Sequence, residues 1–357
     1  MIKKECFTAE WIEQVSSELH YNDKNVIEKV IRALSLLEML VKAGCPLVFK
    51  GGTALMLILG KSAHRLSIDI DLICPPGTNI EDYLKSFADF GFINLELVER
   101  KQRDDADIPK SHSKFFYQIA YRNDTDAQSY ILLDVLYEDI HYFRTQQIAI
   151  NCPFIRLEGK PLMVTVPSAE DILGDKLTAF APNTTGIPYY RNGRSCSMEI
   201  AKQLYDVGRL FENVSDLQIT KEAFRKIAVV ELSYRSFGTD IGQVFNDIRQ
   251  TALCISTRGK AGEGDFDLIQ DGIIRVKSFM YKQRYLIDHA IIDAARAAYL
   301  ATLIEKGINE IESYSNNPAD IKDMVIRPSL PNKLNKLRSN LPEAYYYWAK
   351  TSELLEA

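Results

Sequence analysis

The sequence lacks any apolar run near the roughly 18 residues that a membrane-spanning helix needs, and Met1-Ile-Lys-Lys-Glu-Cys6 leads into no apolar signal core. The expectation is a cytoplasmic protein with no membrane partner. Excess positive charge is also missing, since 43 Lys and Arg against 48 Asp and Glu leave a net charge of -5. Nucleic acid is therefore not attracted in bulk, and any surface for it must be a local patch. Paired cysteine spacing is absent too. Cys6, Cys45, Cys74, Cys152, Cys196 and Cys254 are scattered, which indicates neither a disulfide framework nor a zinc site and reads as small buried thiols. None of the five histidines lies near a Cys or Ser motif, so nucleophilic catalysis has no support.

What is present is an ordinary globular composition, 46% hydrophobic and 25% charged, in 357 residues, a length that suits two domains. Apolar residues at Val26, Val30, Leu34, Leu37 and Val41 predict a helical segment over 8–44, ended by Gly44-Cys45-Pro46. A short strand at Leu47-Val48-Phe49, a helix from Gly52 to Leu59 and a strand from Ser67 to Cys74 come next. Asn79 with Asp82 predicts a capped helix from Ile80 to Phe90, and Phe92 to Glu99 alternates as a strand. Lys101 to Ser113 reads as a polar loop. Strands are expected at Lys114 to Tyr121, Tyr130 to Tyr137, Gln147 to Asn151 and Leu162 to Val166.

After Val166-Pro167 the texture changes to helical spacing. Ser168 with Asp171 predicts a capped helix from Ala169 to Phe180, and Pro182 to Ser195 is a polar loop. Helices are predicted over 197–212, 221–236, 240–256, 265–282, 285–305 and 342–355. The fold class is α+β, with an N-terminal helical segment over 1–45, a mixed-sheet core over 46–167 and a helical C-terminal domain over 168–357.

The chemistry concentrates in two short stretches, Lys50-Gly-Gly-Thr-Ala-Leu55 and Arg65-Leu-Ser-Ile-Asp-Ile-Asp-Leu72. Side chains alternate along a strand, so Ser67, Asp69 and Asp71 share one face while Ile68, Ile70 and Leu72 bury the other. Two carboxylates on one face call for a cation, and Mg²⁺ prefers carboxylate and phosphate oxygen. A solvated strand face would account equally for the pair alone. Gly51-Gly52-Thr53, between a strand and a helix, reads either as a tight turn or as a phosphate cradle of backbone N–H groups. Order separates these readings: glycine turn, helix, Asp-x-Asp strand, then a further carboxylate, Asp134, the only charge in Tyr130-Ile-Leu-Leu-Asp-Val-Leu-Tyr137. Asp124, Asp126, Glu138 and Asp139 lie nearby, and the apolar setting selects Asp134, which also needs a partner. Three carboxylates on adjacent strands can hold two divalent ions, the requirement for nucleotidyl transfer. Arg65 beside them can stabilise charge on a transferring phosphate, and Ser67 can bond the strand edge or phosphate.

These residues resemble the nucleotidyltransferase superfamily with a polymerase-beta-type core. More narrowly, the two stretches with Lys176 and Asp206 downstream resemble the AbiEii/AbiGii toxin family, which includes the MenT toxins, over about residues 46–212. The resemblance implies that Gly51, Gly52 and Thr53 hold the triphosphate of an NTP substrate, with Thr53 where the wider superfamily has Ser. It implies Asp69, Asp71 and Asp134 as ligands of a two-ion Mg²⁺ site, and Lys176 as a contact to nucleotide phosphates in a cleft between the last two domains. Asp206 matches a later acidic position, usually preceded by an Arg- or Lys-Asp pair; here Lys202 stands four residues before it and Gln203 occupies a place often basic or acidic. The acceptor it implies is RNA, at a tRNA 3′ end, and the protein would be the toxin partner of a cognate antitoxin. Tyr189, Tyr190, Arg191 and Arg194 put aromatics beside cations in a loop that suits an RNA end or serves as a plain connection. The tail cations Lys333, Lys336 and Arg338 read as a solvated face. A small-molecule transferase of the aminoglycoside type, a protein-modifying enzyme and an idle binding protein are the rival readings.

Overall fold

The computed structural model describes residues 1–98, 110–122, 127–214, 216–235, 238 and 240–357. It divides into two compact units. The first is Met1–Ser168 with the return segment Ser278–Arg284, and the second is Ala169–Lys277 with Tyr285–Ala357.

In the first unit the helical segment expected over 8–44 is two helices, α1 (Ala9–Glu18) and α2 (Lys24–Lys42). The chain breaks where His20 adopts φ 51°, and Asp23 then caps α2 by accepting from the Val26 N–H. Polar residues on the buried face of α2 find partners, as burial requires. Glu38 accepts from the Ile2 N–H at 2.9 Å, and Glu28 accepts from the Ala120 N–H at 3.1 Å.

β1 (Val48–Lys50) leads directly into α3 (Gly51–Leu59), followed by β2 (Ile70–Cys74), β3 (Asn94–Val98), β4 (Lys110–Gln118), β5 (Gln128–Tyr137), β6 (Thr145–Ala149) and β7 (Met163–Pro167). The main sheet runs β1-β2-β5-β4-β3, with β2 and β5 parallel and the other neighbours antiparallel; β6 and β7 form a separate pair. One face carries Ile70 and Leu72 of β2, Phe115 and Tyr117 of β4, and Ile131, Leu133 and Val135 of β5. All of them join Ile27, Val30, Ile31, Leu34 and Leu37 of α2 in one core.

Three sequence expectations fail in this unit. Ile80 to Phe90 is two short 3₁₀ turns, Ile80–Tyr83 and Phe87–Phe90, because the Asn79 amide donates to the Asp82 carboxylate and caps no backbone N–H. The stretch 110–113, expected as loop, is the start of β4; residues 101–109 lie outside the described residues, as do Asp124 and Asp126. The strand expected from Ser67 is paired only from Ile70. β1 ends at Lys50, opposite Asp71, and turns into α3 at Gly51, so residues before Ile70 lose their β1 partner.

The second unit contains α4 (Ala169–Ala179), a hairpin of β8 (Tyr190–Arg191) and β9 (Arg194–Ser195), α5 (Ser197–Phe211), α6 (Gln218–Tyr234), α7 (Ile241–Ser256), α8 (Phe266–Val276), α9 (Ile287–Lys306), α10 (Leu337–Asn340) and α11 (Pro342–Glu356). The helix expected over 265–282 ends at Val276, and the chain from Ser278 to Arg284 returns to the first unit. Buried Arg296 of α9 ties three elements together. It bonds Asp293 on its own helix, Glu212 after α5 at 2.9 Å and Glu343 of α11 at 2.5 Å.

Candidate active site

The first unit sets four charged or ionisable residues in one row across the sheet. Lys50 of β1 is in register with Asp71 of β2, Asp71 with Asp134 of β5, and Asp134 with His112 of β4. Register partners project from the same face, and neighbouring strands are about 4.8 Å apart. Asp71 and Asp134 are therefore adjacent on the face opposite the α2 core. Asp134 is not a carboxylate sealed in a buried strand. Ile131, Leu133 and Val135 alternate into the core, while the Asp134 side chain retains 31% of its exposure. The partner it requires is His112, whose Nδ1 lies 2.5 Å from Asp134 Oδ1.

Asp69 stands just before the paired part of β2. Its carbonyl oxygen accepts from Thr53 Oγ1 at 2.7 Å, so Thr53 ties the start of α3 to the residue before the strand. The glycines match this arrangement by shape. A Cβ on Gly51, whose φ is +77°, would lie 2.1 Å from Asp71 Oδ2, and one on Gly52 would lie 2.7 Å from Ser67 Oγ and 2.8 Å from an Arg65 guanidinium nitrogen. The N-terminus of α3, with its outward N–H groups, is thus set against Asp71, Ser67 and Arg65. Arg65 is buried, and its Nη1 donates to the Leu66 carbonyl at 3.1 Å.

Among the described residues no group of three or more His, Cys, Asp and Glu side chains is gathered closely enough to hold a metal ion unaided. Asp71 and Asp134 still fit a hard cation, because two in-register carboxylates supply oxygen donors while nucleotide phosphate and water can supply the rest.

Lys176 and Asp206 lie in the second unit. Lys176 of α4 does not face solvent; it is 7% exposed, and its Nζ is 3.1 Å from Asp206 Oδ2 on α5. Asp175 beside it is half-buried rather than solvated. The polar stretch after α4 is held in place. Asp247 of α7 accepts from the Asn183 N–H, the Asn183 amide and Thr184 Oγ1, and Arg235 donates to the Thr184 and Gly186 carbonyls. Burial holds the Asp247 carboxyl above its ordinary value, and the hydrogen bonds from Asn183 and Thr184 offset only part of that rise. The hairpin beyond turns on Asn192 and Gly193, both at positive φ, and presents Tyr190, Arg191 and Arg194 exposed, while Tyr189 is largely buried.

A model of the nucleotidyl transferase AbiEii toxin family, a type IV toxin–antitoxin system, matches residues 34–319, most of the chain. The chain belongs to that family. This AbiEii-family protein is thus a nucleotidyltransferase toxin, and the family match extends beyond 46–212 at both ends. No curated protein matches it. Among solved structures it is similar to JHP933 from Helicobacter pylori, at 17% identity and a TM-score of 0.41, covering 79% of this chain and 94% of that one. It is also similar to MenT4, the nucleotidyltransferase toxin Rv2826c from Mycobacterium tuberculosis H37Rv, at 12% identity and a TM-score of 0.46, covering 82% and 89%. Among the described residues no helix of this AbiEii enzyme is long and apolar enough to cross a membrane.

Sequence reasoning missed His112, because the polar stretch 110–113 reads as a loop. The signal was available. Ser113, Phe115 and Tyr117 bury on alternate positions, and extending that period places Lys110, His112 and Lys114 on the face that carries Asp134.

Proposed function

We propose that this nucleotidyltransferase moves a nucleoside monophosphate from an NTP to a hydroxyl of RNA, with a tRNA 3′ end as acceptor, in a Mg²⁺-dependent reaction. The acceptor oxygen bonds to the α-phosphorus, the bond to pyrophosphate breaks, and the hydroxyl proton leaves to water. The observation that carries the reading is the in-register pair Asp71 and Asp134, two carboxylates side by side on an accessible sheet face. Asp71 and Asp134, with Asp69 beside them, would hold the metal, which supplies charge neutralisation at phosphate and lowers the pKa of the acceptor hydroxyl. Gly51, Gly52 and Thr53 present backbone N–H groups and the helix dipole to triphosphate, and Arg65 and Ser67 sit against that same turn. Lys176 remains the proposed phosphate contact, with Asp206 fixing its ammonium group. For an RNA acceptor the support is the exposed hairpin bearing Tyr190, Arg191 and Arg194, an aromatic ring and two guanidinium groups on a pinned loop. A cognate antitoxin completes the system, as the family implies.

Asp71→Asn and Asp134→Asn test the metal reading. Each should keep its melting temperature near wild type, lose Mg²⁺-dependent NTP binding in calorimetry, and slow transfer on the order of a thousandfold. Equal Mg²⁺-dependent binding in wild type and both variants would refute the carboxylate assignment. Labelled NTP incubated with total cellular RNA should mark a tRNA-sized band; label on protein or on an aminoglycoside alone would replace RNA as acceptor.

A further inference from the structure

On the face that carries Asp134, the sheet continues toward an exposed aromatic ring with two cations near it, Lys114 of β4 and Lys29 of α2. Tyr130 of β5 is 42% exposed. Lys114 Nζ lies 5.4 Å and Lys29 Nζ 5.5 Å from its ring centroid, and Phe116, its register partner on β4, packs tilted at 5.7 Å. Tyr130 is four residues before Asp134 on one strand, so the two share a face about 13 Å apart, with Leu132 between them. Glu96 of β3 brings a carboxylate to the cluster, 3.6 Å from Lys114 Nζ.

An exposed ring with ammonium groups around it is the chemistry that holds single-stranded nucleic acid, where a base stacks on the ring and flanking phosphates meet the lysines. A folded duplex would not fit such a ring, because its bases are already stacked. We propose that Tyr130, supported by Phe116 and flanked by Lys29 and Lys114, is a stacking subsite for a single-stranded RNA acceptor whose terminal hydroxyl reaches the Asp71 and Asp134 end of the same face. The proposal rests on the RNA reading above and adds where the strand lies on the first unit.

Fluorescence anisotropy with a labelled single-stranded RNA oligomer tests it on the full-length protein, alongside NTP binding. Tyr130→Leu should weaken RNA binding about tenfold and leave NTP affinity unchanged, while Tyr130→Phe keeps wild-type RNA affinity. Lys29→Ala combined with Lys114→Ala should flatten the salt dependence by about 1.4 in the logarithmic slope, about 0.7 for each phosphate no longer neutralised. If wild type binds the oligomer and both Tyr130→Leu and the lysine double variant bind it equally well, the subsite is wrong and the RNA reading stands. If wild type binds no RNA at low salt but transfers the nucleotide to a protein or a small molecule, the RNA reading fails and this subsite with it.

Discussion

Replacing Gly51 by alanine tests the coupling between the α3 turn and Asp71, and Gly44 supplies a matched control. The two glycines hold nearly the same backbone, φ +77° and +75°. Alanine in that left-handed region costs about 1 kcal/mol at either position. The surroundings differ. Nothing lies within 4 Å of a Cβ built on Gly44, whereas a Cβ on Gly51 would stand 2.1 Å from Asp71 Oδ2 and 2.8 Å from its Cγ. Ordinary contact begins at 3.4 Å, so the carboxylate must retreat by 3.4 - 2.1, or 1.3 Å. Displacing a reacting group by about 1 Å costs on the order of a hundredfold in rate. Gly44→Ala should therefore lose about 1 kcal/mol in chemical denaturation, Gly51→Ala that much plus about 1 to 3 kcal/mol for the forced shift of Asp71, and only Gly51→Ala should transfer nucleotide about a hundredfold more slowly. Equal transfer rates in the two variants would refute the argument that Gly51 is there to admit the Asp71 carboxylate.

Lys176→Ala removes the ammonium group beside Asp206, which is 2% exposed, and should lower stability in denaturant melts by at most about 3 to 5 kcal/mol; Lys176→Met with Asp206→Leu removes both charges and should recover most of what is lost. If Lys176 also contacts phosphate, the double variant will be folded yet poor in NTP turnover, and wild-type turnover in it would leave the pair a purely structural one. Arg191→Ala with Arg194→Ala, at the exposed hairpin tip, should lower RNA labelling and its salt sensitivity while calorimetry shows unchanged NTP affinity. Unchanged labelling would release the hairpin from the acceptor surface.

The parts of this chain legible in its sequence are those fixed by near neighbours. The apolar run Tyr130 to Tyr137 predicts β5, the 3.6-residue spacing in Val26 to Val41 predicts most of α2, and the step from Lys50 to Gly51 predicts the strand-to-helix turn. The parts that were not legible depend on distant chain. Where pairing of β2 begins depends on where β1 stops. His112 acquires its role only because Asp134, 22 residues away in sequence, falls opposite it. Lys176 enters the sequence reading only through the family resemblance, as a phosphate contact, and its burial against Asp206 comes from the packing of α4 on α5. The return of Ser278–Arg284 to the first unit has no local signature at all. It is made by partners far away in sequence, with the Leu66 N–H donating to the Phe279 carbonyl and the Tyr281 N–H to the His64 carbonyl.

The charge order of the sheet row explains how two carboxylates can stand adjacent without unfolding the sheet around them. Like charges on neighbouring strands oppose each other, and such a pair persists only where cations or solvent compensate it. Here Asp71 and Asp134 have the cation Lys50 at one end of the row and, at the other, His112, which hydrogen-bonds Asp134, while the open face admits solvent. The two ends are not equivalent. Lys50 stacks over the Tyr142 ring at 5.9 Å and stands at the last residue before the glycine turn, so its charge belongs to the side where triphosphate is proposed to bind. His112 is directional: its ring nitrogen engages one oxygen of Asp134, which fixes the orientation of that carboxylate. The proposed placement, triphosphate on the Lys50 side and acceptor on the Asp134 side, agrees with this asymmetry, since Lys114 and Tyr130 continue along the sheet from the Asp134 side.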